Sequence, residues 1–341
     1  MSSPDPRSAD PRPAAPRPAD PRPADPRPAD PGPAEHARLG TAYGAGAFLL
    51  WGVFPLYFHA LEPAGAVEIV VNRVVWSLLV CLLVLAVTRQ VGWVRPMLAN
   101  PRQLGWLALA AVCLSFNWGV YVYGVNSGRA VEAALGYFIN PLVTVLLGVL
   151  VLREHLRRLQ WAAVALGAVA VVVLTIGYGH LPWIALALAL SFASYGLLKK
   201  HVGANVGAIA SLTTETAVLF PTAAATLVWL EVTGRGTFTE DPPGHGLLLA
   251  TTGIVTVVPL LLFAAGARRV PLVTMGLLQF ITPVLQLLCA VLFLGETVPP
   301  SRWVGFAIVW AALGLLTVDA GRAYRRPASP QDLEPAVLSG P

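Results

Sequence analysis

Charge is scarce in this sequence. Only 12% of its 341 residues are Asp, Glu, Lys or Arg, about half the share found in a soluble globular domain. Twelve of those charges crowd into residues 1–38, which leaves 29 for the other 303 residues. A soluble chain of this length must cover its surface with polar side chains, so an ordinary cytoplasmic enzyme is excluded. Cysteine is nearly absent too. Cys81, Cys113 and Cys289 all lie in apolar runs, which excludes a disulfide framework and a thiolate metal site. No GxxxxGK[ST] loop is present to cradle the phosphates of ATP, and no HExxH or GxSxG motif occurs. The six His occupy the tail, the loops or segment ends, so no intramembrane His cluster offers a catalytic metal site. No cofactor is called for. The basic pI of about 9.4 comes from scattered loops rather than a nucleic-acid-binding stripe.

Apolar sequence takes the place of charge. The mean hydropathy is +0.66 and 56% of residues are hydrophobic, as in a chain solvated mainly by a lipid bilayer. Long apolar segments fall near 40–60, 66–88, 103–125, 130–152, 159–178, 182–201, 206–230, 246–267, 271–294 and 301–320. Each has about 20 residues, enough at 1.5 Å per residue to cross a hydrocarbon core of about 30 Å. Barrel strands are half as long and alternate in polarity. Residues 4–33 are instead a degenerate PRPAD repeat. Proline this frequent blocks helix and sheet hydrogen bonding, so residues 1–38 read as a disordered, dispensable arm.

Lys and Arg set the orientation. With the N-terminus inside, the cytoplasmic loops and C-terminal tail hold thirteen: Arg89, Arg95, Arg102, Arg153, Arg157, Arg158, Lys199, Lys200, Arg268, Arg269, Arg322, Arg325 and Arg326. The outer connections hold three, Arg129, Arg235 and Arg302. This predicts ten spans with both termini cytoplasmic, residues 321–341 forming the second tail.

Shifting the chain by 142 residues lays Phe138, Ile139 and Pro141 on Phe280, Ile281 and Pro283, Glu154 on Glu296, and Trp161 on Trp303. Coincident Pro, Glu and Trp at one offset indicate two halves, 39–178 and 179–320. Each holds five spans, and an odd number forces the second half into the membrane from the opposite side. Inverted repeats of this kind are typical of secondary transporters. The expected fold is therefore all-α integral membrane, ten transmembrane helices as two inverted five-helix repeats.

Several stretches also carry a specific resemblance. The run Glu132 to Leu142 (EAALGYFINPL), Asn72 to Ser77 (NRVVWS), Asn117-Trp118, Ser191 to Leu197 and Gly253 to Leu261 resemble RarD-type permeases of the EamA group, in the drug/metabolite transporter superfamily. The resemblance spans roughly residues 40–320. It implies ten helices, an inner-membrane location and small-molecule transport.

A charge at the bilayer centre costs about 2.5–3.5 kcal/mol on insertion scales, so each intramembrane charge needs a reason. Glu68, Arg73, Glu132 and Glu215 lie within spans or at their ends. Arg73 and Glu215 occupy repeat-equivalent positions with opposite sign, which suggests a pair facing each other, either as a gate or as a static bridge. Glu132, with only Arg129 nearby in sequence, is the candidate proton-linked carboxyl. Asn117, Trp118, Tyr121, Tyr137 and Asn140 are candidates to line a polar aromatic cavity, with Gln279 and Gln286 mirroring them around Pro283. Interhelical hydrogen bonding is the alternative for the Asn residues. Pro141, Pro283 and Pro259 are candidate helix breaks, and Gly136 lets a neighbour approach the backbone. Glu154 and Glu296 read as helix caps. The expected function is export of a small metabolite or drug-like molecule, with proton coupling as a candidate drive. An intramembrane enzyme acting on lipid, or a non-transporting scaffold, are the alternatives.

Overall fold

The computed structural model describes residues 33–153, 156–202, 206–239, 244–270, 274–275 and 278–324. Residues 1–32 of the proline-rich arm, Glu154, and the tail beyond 324 lie outside the described residues. Residues 33–38, expected in the arm, are the start of the first helix.

The described residues form α1 (Pro33–Gly52), α2 (Phe54–His59), α3 (Ala66–Thr88), α4 (Val94–Leu98), α5 (Pro101–Asn126), α6 (Ala130–Leu152) and α7 (Arg158–Tyr178). They continue as α8 (Trp183–Val202), α9 (Ala208–Val232), α10 (His245–Ala250), α11 (Thr252–Ala267), α12 (Ile281–Leu292) and α13 (Pro300–Tyr324). Among the described residues, eight stretches are long and apolar enough to cross a membrane: α1 with α2, α3, α5, α6, α7, α9, α10 with α11, and α13. Two further apolar helices are shorter, Trp183–Lys199 within α8 and Ile281–Leu292. Of the expected segment 271–294, Thr274, Met275 and Leu278 are helical, a turn follows at Gln279 and Phe280, and α12 carries the helix on from Ile281 to Leu292; 271–273 and 276–277 lie outside the described residues. The chain is an all-α, multi-pass membrane protein.

Of Pro55, Pro141, Pro259 and Pro283, two sit where helices start and two lie within helices that they do not interrupt. Pro55 lacks an amide, and α1 ends one turn earlier, with Val53 turning the chain into α2. Pro141 and Pro259, expected as breaks, lie instead inside continuous α6 and α11. Pro283 sits in the first turn of α12, after a turn at Gln279 and Phe280, where its missing amide costs nothing.

Two ends of the bundle can be told apart. We call the end where α1 starts and α13 finishes the terminal face, and the opposite end the far face. The closest helix pairs are α7 with α13, α6 with α8, α5 with α8, α1 with α11, and α3 with α9. The close approach expected at Gly136 is to α8: a Cβ there would lie 2.8 Å from the Ala185 carbonyl oxygen. Leu83, Val87, Ile176 and Val232 are exposed, as side chains facing lipid must be.

Candidate functional site

The carboxylates at the far face act as caps. Glu132, in the first turn of α6, is buried. Its Oε2 accepts from Arg129 Nη2 at 2.6 Å, and its Oε1 accepts from the Ile184 amide at 2.9 Å, at the N-terminus of α8. That amide end carries positive partial charge, so a carboxylate is favoured there. Glu296 holds the N-terminus of α6 in the same way, accepting from the amides of Ala130 and Val131. Burial pushes the Glu296 carboxyl up, while those two amides and Arg302 pull it down. Glu68 accepts from the Thr237 amide at 2.7 Å and from the Thr237 hydroxyl.

These contacts correct two expectations. Glu132 has a partner for each oxygen, and it belongs to the far-face caps rather than to a cavity. Glu68 likewise clamps the connection after α9. Glu296 does cap a helix, but one 166 residues away in sequence. Glu296→Ala is expected to orphan two helix-end amides and to cost about 0.5–2 kcal/mol. The check is the melting temperature of the purified protein, with Glu296→Gln losing less because one acceptor oxygen remains.

Deeper in the bundle lies an aromatic cluster around Arg73. The Arg73 side chain is buried, and its guanidinium carbon sits 4.1 Å from the Trp118 ring centroid, 5.1 Å from Phe58 and 5.8 Å from Phe54. Its Nε donates to Thr256 Oγ1 on α11 at 3.1 Å. Tyr121 stacks edge-on against Phe58 and Tyr137, with centroids 5.8 and 5.5 Å away. The Tyr137 hydroxyl donates to Asn117 Oδ1, while Asn117 Nδ2 donates to the Leu188 carbonyl and Ser191 Oγ on α8. Gln286, on α12, is a neighbour of the Tyr121 hydroxyl, and its Nε2 donates to the Trp51 carbonyl. Yet Tyr121 Oη and Gln286 Oε1 are both buried without a sound hydrogen bond, as is Asn140 Oδ1 one turn beyond Tyr137.

The structure therefore brings Asn117, Trp118, Tyr121, Tyr137 and Gln286 together. Gln279 is half-buried in the turn before α12, and no contact from it to the cluster is found among the described residues. Phe54, Tyr57 and Phe58 were not anticipated. They are supplied by α2, where the Tyr57 hydroxyl bonds to Thr251 and the Leu248 carbonyl. The run Gly253 to Leu261 already contained Thr256, the one hydrogen-bond partner of Arg73 among the described residues.

Arg73 and Glu215 do not pair. Glu215 Oε1 accepts from Lys199 Nζ at 2.6 Å and from Ser211 Oγ at 2.7 Å, and Oε2 accepts from Tyr195. The two charges do lie on neighbouring helices, α3 and α9. Each is seven residues into its helix, at 73 in Ala66–Thr88 and 215 in Ala208–Val232, so each is about 10 Å from its own end. Those ends are opposite, which leaves a gap of about 12–15 Å along helices of 23 and 25 residues. Among the described residues no group of three or more His, Cys, Asp or Glu is placed to hold a metal.

The model of the EamA-like transporter family matches this chain twice, over residues 38–176 and 181–318. The chain belongs to the EamA-like transporter family. Among its relatives, Protein RarD of Streptomyces exfoliatus is 53% identical over 305 residues, covering 89% of this chain and 96% of that one. Protein RarD of Escherichia coli K12 is 39% identical over 292 residues, covering 86% and 98%. An uncharacterized transporter of Bacillus subtilis, YojE, is 41% identical over 290 residues, covering 83% and 95%. A solved crystal structure superposes with a TM-score of 0.55 at 19% identity, covering 83% of this chain and 99% of that one; this shows a shared fold. As a RarD-type EamA protein the chain is a multi-pass transporter of the cytoplasmic membrane that carries a small molecule, and not an enzyme.

Proposed function

We propose that this EamA-family transporter exports a small metabolite or drug-like molecule by alternating access. Two inverted five-span halves, 39–178 and 179–320, rock about the aromatic cluster, and the terminal face is cytoplasmic. The tandem family match supports two halves. So does the pairing of helices. If α1 and α8 open the two halves, then α1 with α11 and α5 with α8 are symmetry mates, and α3 with α9 and α7 with α13 pair across the axis.

The observation that carries the reading is the unequal closure of the two faces. From Ala130 to Ile139, α6 is buried except at Arg-proximal Tyr137, whereas from Val143 to Val151 it is mostly half-buried or exposed. On α8, Ile184, Ala185, Leu188 and Ala189 are fully buried, and Ser194 to Lys199 are half-buried or exposed. The far face is also sealed by the Glu68, Glu132 and Glu296 caps. Such a protein loads from the terminal side, the cytoplasm under the thirteen-to-three loop bias, which favours export.

Ligands found by thermal shift of the purified protein should show saturable flux in proteoliposomes, measured with and without a pH gradient. No flux for any binding ligand would overturn the transport mechanism. An external thiol reagent should modify Gly179→Cys and miss Gly92→Cys, and the reverse pattern would invert the orientation.

A further inference from the structure

Arg73 is a buried cation without a counter-ion. Of its N–H donors only Nε–H finds an acceptor among the described residues, the neutral Thr256 hydroxyl. The guanidinium carbon lies 4.1 to 5.8 Å from the ring centroids of Trp118, Phe58 and Phe54, and no acceptor for the two terminal amino groups is found among the described residues. Aromatic faces attract a guanidinium, but they do not replace an anion for a charge removed from water. An arginine in this position stays protonated, so the free protein holds an uncompensated positive charge at the heart of the bundle.

Five described carboxylates of the spans and the far face are committed elsewhere. Glu215 is paired with Lys199, Glu132 with Arg129, and Asp319 with Arg157. Glu68 and Glu296 hold backbone amides. None of these five neutralises Arg73; Glu231, at the far-face end of α9, accepts from Thr239 through Oε2 and keeps a buried, unbonded Oε1, but no contact from it to Arg73 is found among the described residues. Meanwhile Tyr121 Oη and Gln286 Oε1 lie buried side by side in the same cluster without a hydrogen bond of good geometry.

We propose that Arg73 is the anchor for an anionic group on the transported molecule, so that the substrate class is a small organic monoanion with an aromatic or apolar body. The acidic group takes the free amino groups of Arg73, with the geometry in which a guanidinium holds a carboxylate through two parallel bonds. The body lies against Trp118, Phe58 and Tyr121, and a polar substituent on it meets Tyr121 Oη and Gln286 Oε1. Cations are repelled. This inference rests on the aromatic cluster being the transport site, and it adds what that site selects.

The test is equilibrium binding to the purified full-length protein in detergent, read by melting temperature and by quenching of tryptophan fluorescence. The probes are benzoate, phenylacetate and cinnamate, each beside its neutral amide. At least one acid is expected to bind more tightly than its amide by about tenfold or more, the contribution of a hydrogen bond to a charged group. Arg73→Gln should reduce that acid to the level of the amide, and Arg73→Lys should retain part of the preference. The wild-type comparison of acid with amide decides the matter even where the Arg73 variants fail to fold. No binding by any acid, equal binding of acids and amides, or acid preference that survives Arg73→Gln would overturn the proposal. Selective acid binding without flux in proteoliposomes would leave the anion site standing and remove the transport mechanism. Amides that bind and move as well as acids would do the reverse.

Discussion

Lys199→Ala is expected to destabilise the protein by about 3–5 kcal/mol, because it strands the buried Glu215 carboxylate. Glu215 is only 2% exposed, while Lys199 is 28% exposed at the terminal-face end of α8. The asymmetry matters. A freed lysine can turn toward water along its flexible stem, whereas a freed Glu215 keeps only the Ser211 and Tyr195 hydroxyls. Glu215→Ala should therefore cost less than Lys199→Ala, and the double substitution should cost less than the sum. Exchange of the charges, Lys199→Glu with Glu215→Lys, should recover part of the loss. Arg73→Glu with Glu215→Arg should recover nothing, since Arg73 meets Thr256 and rings rather than Glu215. The measurement is a double-mutant cycle on unfolding in detergent. A coupling near zero between 199 and 215, or a clear one between 73 and 215, contradicts this assignment.

Gly253→Ala is expected to cost about 1–3 kcal/mol, although it adds a single methyl group. A Cβ at Gly253 would stand 2.5 Å from both the carbonyl carbon and the carbonyl oxygen of Trp76. Those are backbone atoms of α3, so no side-chain rotation relieves the contact, and α3 and α11 must separate. Thr256 lies on α11 three residues further on and Arg73 on α3 three residues before Trp76. Separation therefore also lengthens the Thr256 bond to Arg73, and binding at the cluster should weaken along with the melting temperature. Gly92→Ala is the control: nothing lies within 4 Å of a Cβ there, and a surface change of that kind stays within about 0.5 kcal/mol. Equal melting temperatures for the Gly253 and Gly92 variants would show that the helices yield.

The membrane character and the positions of the helices were legible because lipid solvation removes charge from long continuous runs. The turn inside 271–294 was not: helical Leu278 and Ile281–Leu292 flank a turn at Gln279 and Phe280, and the apolar run carries no mark of it. The repeat offset singled out Arg73 and Glu215, but the pairing expected from it is not found: Glu215 meets Lys199 and Arg73 meets Thr256. What an equal offset does not give is a partner, since Lys199 lies on α8, nearer in sequence to Glu215 than Arg73 is. Asn117, Trp118, Tyr121 and Tyr137 were legible as polar aromatic residues at helical spacing. Phe54, Tyr57 and Phe58 were not, since aromatic residues in an apolar run look like packing until the kink before Pro55 redirects them. The roles of Glu132 and Glu296 were equally hidden. Each holds amides of a helix distant in sequence, 52 residues away for Ile184 and 166 for Ala130, and no local spacing encodes such a partner.

The central claim is that the middle of this bundle opens to each side of the membrane in turn. Asn140 lies ten residues into α6, about 15 Å from the far face, with a buried, unbonded Oδ1. The direct test places a cysteine there, Asn140→Cys, in a protein whose Cys81, Cys113 and Cys289 have been replaced, and measures its modification by a membrane-impermeant maleimide. Right-side-out and inside-out vesicles present the two faces separately. Alternating access predicts modification from both sides, faster from the cytoplasmic side, while the vesicles stay sealed to the reagent. Modification from one side only, however long the exposure, would contradict it.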